Sequence, residues 1–158
     1  MKSNMNPEQP WATLKEALTL PPPGGKQTKP DSDNTKFAQF SSTCYYFGES
    51  LSDQLAAASA DGVAPPIGLV HTSFGGSAIE QWLTNETIAT CSQAGCDNPS
   101  RQTWHDQRVM PYAGMTLKGW IWYQGENDMH NFFGNSKLMS GYACMMKALV
   151  TNWRKIWR

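Results

Sequence analysis

The chain carries little charge, and none in excess. Charged residues make up 16% of its 158 positions, with 13 basic side chains set against 13 acidic ones. A nucleic-acid binder neutralises phosphates with a basic face, and that footprint is missing. No basic run stands out, so attraction to a membrane surface has no support either. No apolar stretch approaches the roughly 20 residues that a membrane span needs. The opening Met1-Lys2-Ser3-Asn4-Met5-Asn6-Pro7 lacks the apolar core of a signal peptide. Cysteine is sparse: Cys44, Cys91, Cys96 and Cys144 form no Cys-x-x-Cys pair, which argues against a zinc ribbon or a thioredoxin-like motif.

What is present suits a packed domain. Apolar residues reach 40%, and the length fits one domain or a piece of one, since domains commonly run to about 100–200 residues. Cys91 and Cys96 share a polar loop where a small disulfide can close. Cys44 and Cys144 fall within helical patterns and can equally be buried thiols. Asn85-Glu86-Thr87 fits a glycosylation acceptor, whereas Asn98-Pro99-Ser100 is excluded by its proline.

Residues 1–39 read as an irregular lead-in. A short helical pattern at 13–18 runs into Pro21-Pro22-Pro23-Gly24-Gly25, which neither a helix nor a central strand accommodates. Order begins at Phe40: Phe40, Cys44, Phe47, Leu51, Leu55 and Ala58 recur at helical spacing, with Ser41 or Ser42 as cap and Asp61-Gly62 as stop. Residues 67–72 form a short apolar run suited to a buried parallel strand. The tight turn Ser73-Phe74-Gly75-Gly76 then feeds Ser77-Ala78-Ile79-Glu80, a capping-box spacing that predicts a further helix carrying Trp82. Residues 84–101 read as a loop and 117–123 as a second strand, rich in aromatic and β-branched residues. Leu138, Tyr142, Met145, Leu149, Trp153 and Ile156 mark a long amphipathic helix. This order implies parallel strands joined by helical crossovers.

In such a sheet, ligands bind beyond the carboxyl ends of the strands, so both strand tips would face one cleft. Gly75-Gly76 can expose backbone N–H groups with no Cβ in the way, and the helix expected after Ser77 would add its positive dipole end, a combination that suits an oxyanion. The plain alternative is a glycine turn entering a helix. At the second tip, Gln124-Gly125-Glu126 delivers an amide and a carboxylate on either side of a sharp bend. Gln124 can donate its N–H₂ to developing negative charge. Glu126 can anchor the loop on backbone N–H groups or orient a substrate hydroxyl, and both can equally be plain polar loop residues.

Residues 67–82, with Val70-His71-Thr72-Ser73-Phe74-Gly75-Gly76 at their centre, resemble a motif region of the sialate O-acetylesterases. Residues 115–128, which contain Trp122-Tyr123-Gln124-Gly125-Glu126, look like that family's most specific motif. Residues 40–48 and Asn152-Trp153-Arg154 are similar to family positions too, so the resemblance runs from 40 to 158. It implies the SGNH hydrolase superfamily: a three-layer α/β/α sandwich around a parallel sheet, flavodoxin-like, here expected to be truncated at both ends. It also implies a carboxylic ester hydrolase that removes O-acetyl groups from sialic acids or other glycans through a serine acyl-enzyme. Gly75 or Gly76 would be the backbone oxyanion donor, Gln124 the side-chain donor and Glu126 the accompanying carboxylate. No metal or organic cofactor is implied, and the partner is an O-acetylated sugar rather than nucleic acid or membrane. With the Asn85 sequon, the family points toward the secretory route, lysosome or cell exterior without fixing the compartment.

The sequence departs from that pattern in several places. The family serine sits in Gly-Gln-Ser-Asn-Met after a strand. Here Ser3-Asn4-Met5 follows Lys2, with no strand before it, and the Asp-x-x-His element would lie beyond the final helix. Of the internal histidines, His71 lies in a strand, His105 in a short helix, and His130 just after the Gln-Gly-Glu loop, nearest the expected cleft. Asp106 stands where relatives carry asparagine, and Arg108 where they carry an apolar residue. Two rivals follow: a catalytically inactive glycan-binding remnant of the same fold, and an unrelated α/β binding domain of flavodoxin type. The second lacks the phosphate-cradling glycine loop after a first strand that it would require.

Overall fold

The computed structural model describes residues 11–19, 37, 40–91, 101–129 and 141–157. The chain divides into two compact units, residues 1–73 and 74–158.

In the first unit α1 spans Leu14–Thr19. A reciprocal cap opens it: Thr13 N donates to Glu16 Oε2 at 2.7 Å, and Glu16 N donates to Thr13 Oγ1 at 3.2 Å. The second helix, α2, spans Ser42–Ala58, and its Ser41 cap accepts from Cys44 N at 3.3 Å. Beyond it Gly62 takes a left-handed φ of 70° while Asp61 Oδ1 accepts from Val63 N, so the predicted stop is in place. The covered edge of α2 is rotated from the expected stripe. Phe47 is exposed, and Gly48 is buried instead. The reason is a close approach: a Cβ on Gly48 would lie 2.7 Å from a methyl carbon of Leu69.

Among the described residues, the second unit holds most of the apolar core: Ile79, Trp82, Leu83, Ile88, Cys91, Val109, Met145, Leu149 and Trp153. Helix α5 spans Tyr142–Ile156 and buries Met145, Leu149 and Trp153, the face expected from their spacing. Leu138 lies outside the described residues. The expected loop contains a helix, α3 (Asn85–Ala89), capped by Thr84 Oγ1 accepting from Thr87 N at 3.1 Å. Cys91, just after α3, is joined by a disulfide to Cys144 on α5, not to Cys96 as its loop position suggested. Turns at His105–Val109 and Met110–Tyr112 precede α4 (Glu126–Met129).

The expected three-layer α/β/α sandwich with a parallel sheet is overturned. Among the described residues there is no strand; residues 67–72 and 117–123 are extended without a ladder, apart from an isolated bridge at Val70. Apolar and β-branched composition records fitness for a sheet surface, but a strand exists only through its neighbours, and sheets usually need about 4–6 of them. The extended segment lays one side on the core. Trp120 and Trp122 pack against it, while Ile121 and Tyr123 are 40% and 78% exposed. That is the period-two signature of a half-covered extended chain rather than of a strand buried on both faces. The helix predicted after Ser77 is also corrected: residues Ile79–Trp82 make a single 3₁₀ turn. Ala78 N donates to Gln81 Oε1 at 2.8 Å, so Gln81, not Glu80, closes its start. Among the described residues no helix is long and apolar enough to cross a membrane.

Candidate active site

The site lies in the second unit, where two short polar segments are laced together. The first is the turn Phe74-Gly75-Gly76-Ser77, closed by Ser77 N donating to Phe74 O at 3.3 Å. Gly76 has φ 75°, which a turn with a left-handed third residue requires and glycine supplies without strain. Both glycines are exposed, and nothing lies within 4 Å of where a Cβ would stand on either. Neither amide donates to a described backbone carbonyl.

The second segment is Gln124-Gly125-Glu126-Asn127-Asp128. Gly125 has φ 143°, again outside the ordinary range of L side chains. The bend lets three side chains reach back to the glycine turn. Asn127 Nδ2 donates to Gly76 O at 2.8 Å. Gln124 Nε2 donates to Ser77 O at 2.8 Å and also to the Asp128 carboxylate. Asp128 in turn accepts from Ile79 N, 3.3 Å from each carboxylate oxygen. From α5, Tyr142 closes the cluster: its hydroxyl lies 3.1 Å from Gln124 O and 3.0 Å from Gln124 Oε1, and accepts from Trp122 Nε1 at 3.3 Å.

Burial shapes the electrostatics. It pushes the Asp128 carboxyl above its usual range, partly offset by the hydrogen bonds from Gln124 and Ile79 N. Burial likewise raises the Tyr142 hydroxyl, so it remains a neutral donor. Beside the turn, buried Arg108 lies 5.0 Å from the Phe74 ring centre and 4.6 Å from that of Trp104, rings that stack at 4.1 Å. Burial lowers its pKa, but a guanidinium starts so high that it stays charged.

The predicted residues therefore meet only in part. The structure brings Gly76 and Gln124 into one hydrogen-bonded cluster, with Gly75 in the same turn. Glu126 stands exposed in the first turn of α4, and the anchoring expected of it falls to Asp128. Asn127, Asp128 and Tyr142 are the site members that sequence reasoning missed. The signals were the spacing of Gln124 and Asp128, one helical turn apart, and an inward tyrosine at the start of α5. The dipole end expected after Ser77 is absent, because one 3₁₀ turn follows. His105 is buried with Nδ1 2.9 Å from Asp106 Oδ1, and His71 contacts Ser73 in the first unit. Ser3 and His130 lie outside the described residues. Among the described residues no cluster of three or more His, Cys, Asp or Glu side chains could hold a metal ion.

The family model for carbohydrate esterases described as sialic acid-specific acetylesterases matches residues 25–157. The chain belongs to that family. It is 28% identical over 162 residues to sialate O-acetylesterases of Homo sapiens and Pongo abelii, covering 96% of this chain. It is 30% identical over 168 residues to the Rattus norvegicus sialate O-acetylesterase, covering 81% of this chain. The chain spans 28% of the length of each of these relatives. No solved structure matches it. Membership gives the two laced segments a common context, because both the glycine turn and the Gln-Gly-Glu loop fall within the matched residues.

Proposed function

We propose that the cluster serves hydrolysis of O-acetyl esters on sugars, sialic acids first among them, by stabilising the oxyanion of a serine acyl-enzyme mechanism. The observation that carries this reading is the hydrogen bond from Gln124 Nε2 to Ser77 O, which ties the amide to the residue that closes the Gly75-Gly76 turn. Backbone N–H groups and a side-chain amide around one point are what a developing alkoxide needs, and one such donor is worth about 2.7–4 kcal/mol in the transition state. Tyr142 and Ser77 fix the amide from two sides. The hydrogen now directed at Asp128 is the one an oxyanion would claim.

The cluster supplies no attacking group. Of its two hydroxyls, that of Tyr142 is engaged with Gln124, and Ser77 Oγ is buried and accepts from Trp82 Nε1 at 3.0 Å. That observation favours a second reading, a glycan-binding remnant without turnover. Acetate release from O-acetylated sialic acid and from an aryl acetate separates the two. The chain alone should show little or none. Grafted into the human relative in place of the segment it matches, it should restore turnover, and Gln124→Ala should then lower kcat by roughly 10²–10³-fold with KM little changed. Equal kcat with and without the Gln124 amide would remove the oxyanion assignment. A graft that binds the sugar but never releases acetate would favour the remnant.

A further inference from the structure

We propose that Asn85 is an N-glycosylation site, modified before the second unit folds. Asn85-Glu86-Thr87 is an acceptor sequon. In the structure Asn85 opens α3 on its outer side: Asn85, Glu86, Ala89 and Thr90 are exposed, while Ile88 faces the core. A glycan on the Asn85 amide would project into solvent without disturbing that packing. An independent observation bears on the compartment. The second unit contains a disulfide between Cys91 and Cys144, residues 53 apart, and such bonds persist where the environment is oxidising, which is also where this modification occurs.

The order of events follows from Thr87, whose hydroxyl the acceptor reaction must engage. In the folded unit that hydroxyl is taken: Thr84 Oγ1 lies 2.8 Å away and Asn152 Nδ2, on α5, donates to it at 2.6 Å. The backbone N–H of Thr87 is committed as well, to the Thr84 cap. The sequon is thus locked in a capped helix pinned on α5, and four residues beyond Thr87 the Cys91–Cys144 bond fastens the segment just after α3 to α5. Transfer must come first. In that step the Asn85 side-chain nitrogen forms a bond to the first sugar carbon of a lipid pyrophosphate-linked oligosaccharide. The bond from that carbon to the pyrophosphate oxygen breaks, and the lipid pyrophosphate leaves with the amide proton.

The test treats the natural protein with peptide-N-glycosidase in heavy-oxygen water and reads the peptide containing residue 85. Heavy-labelled Asp at position 85 is expected, and unmodified Asn85 overturns the site. The full chain expressed through a eukaryotic secretory route should show a mobility shift lost in Asn85→Gln and Thr87→Ala and kept in Thr87→Ser. A shift that survives Asn85→Gln places the sugar elsewhere and overturns the assignment. For the order, occupancy in Cys144→Ser should equal or exceed that of the wild-type chain. A fall in occupancy, or efficient transfer to the folded, disulfide-closed chain in microsomes, would show that folding does not lock the sequon.

Discussion

Gln124 has two amide hydrogens, and in this structure the protein uses both, one on Ser77 O and one on Asp128. Asp128 is therefore the residue against which any ligand of Gln124 must compete. Its carboxyl pKa is raised by burial, and the sign of the consequence is fixed by linkage. A carboxyl that holds its proton more tightly folded than unfolded favours the folded state in acid, and that contribution is lost as pH rises through the folded pKa. Asp128→Asn keeps an acceptor and removes the titration. The unfolding free energy of the wild-type protein minus that of Asp128→Asn should fall as pH rises out of the usual carboxylate range, and then level off. Urea melts at a series of pH values measure it, and a difference that rises with pH would contradict the burial assigned to this group. Gly125 is the neighbouring hinge. At φ 143° an alanine is strained whatever the space, and the nearest atom to its Cβ would be the Tyr142 hydroxyl at 3.6 Å, ordinary contact. Gly125→Ala should thus cost about 1–3 kcal/mol through backbone strain rather than collision. A variant as stable as the parent in denaturant would show that the bend is not required.

At the scale of elements, helices were legible and sheet was not. The α5 stripe Met145, Leu149, Trp153 and the Ser41 cap of α2 were both readable, because helical hydrogen bonds and caps are local. The expected strands were legible only as extended segments, since a ladder depends on partners that composition does not name. At α2 the apolar stripe points to Phe47, yet the covered position is its neighbour Gly48, where the missing side chain lets Leu69 come close, and apolar spacing cannot register a side chain that is absent. At the site, the two loops could be found from their residue types, but Asp128 taking the anchoring place expected for Glu126 could not, because one turn of α4 decides which carboxylate faces inward. The α3 helix escaped notice because it is only 5 residues long. Its hold on α5 comes from the Thr87–Asn152 hydrogen bond and from Cys91–Cys144. Opening that disulfide frees a loop of 53 residues in the unfolded chain. Replacing both cysteines by alanine should lower stability by about 2–5 kcal/mol. Thermal melts of the oxidised protein against the double variant test this, and unchanged melting would mean that packing alone secures α3.

For the molecule as a whole, the two units are unequal in what their described residues bury. The first has Ala17 and Gly48 at the covered positions of its helices, whereas the second assembles a continuous core with aromatic walls. The candidate site belongs to the second unit, so the laced segments rest on the part of the described chain that holds nearly all of its buried apolar residues. Of the seven tryptophans only Trp11 lies in the first unit. In the second, Trp82, Trp122, Trp153, Trp120 and Trp157 run ring to ring, with successive centroids 5.9, 5.7, 5.7 and 5.5 Å apart. Indoles at these separations are close enough to exchange excitation by dipolar coupling, so the row should emit as a group rather than as five separate rings. One member of the row, Trp122, bonds the Tyr142 hydroxyl that holds Gln124, and the indole of another, Trp82, bonds Ser77. A ligand that rearranges either contact should therefore change the colour or polarisation of the protein's own fluorescence, with no label attached.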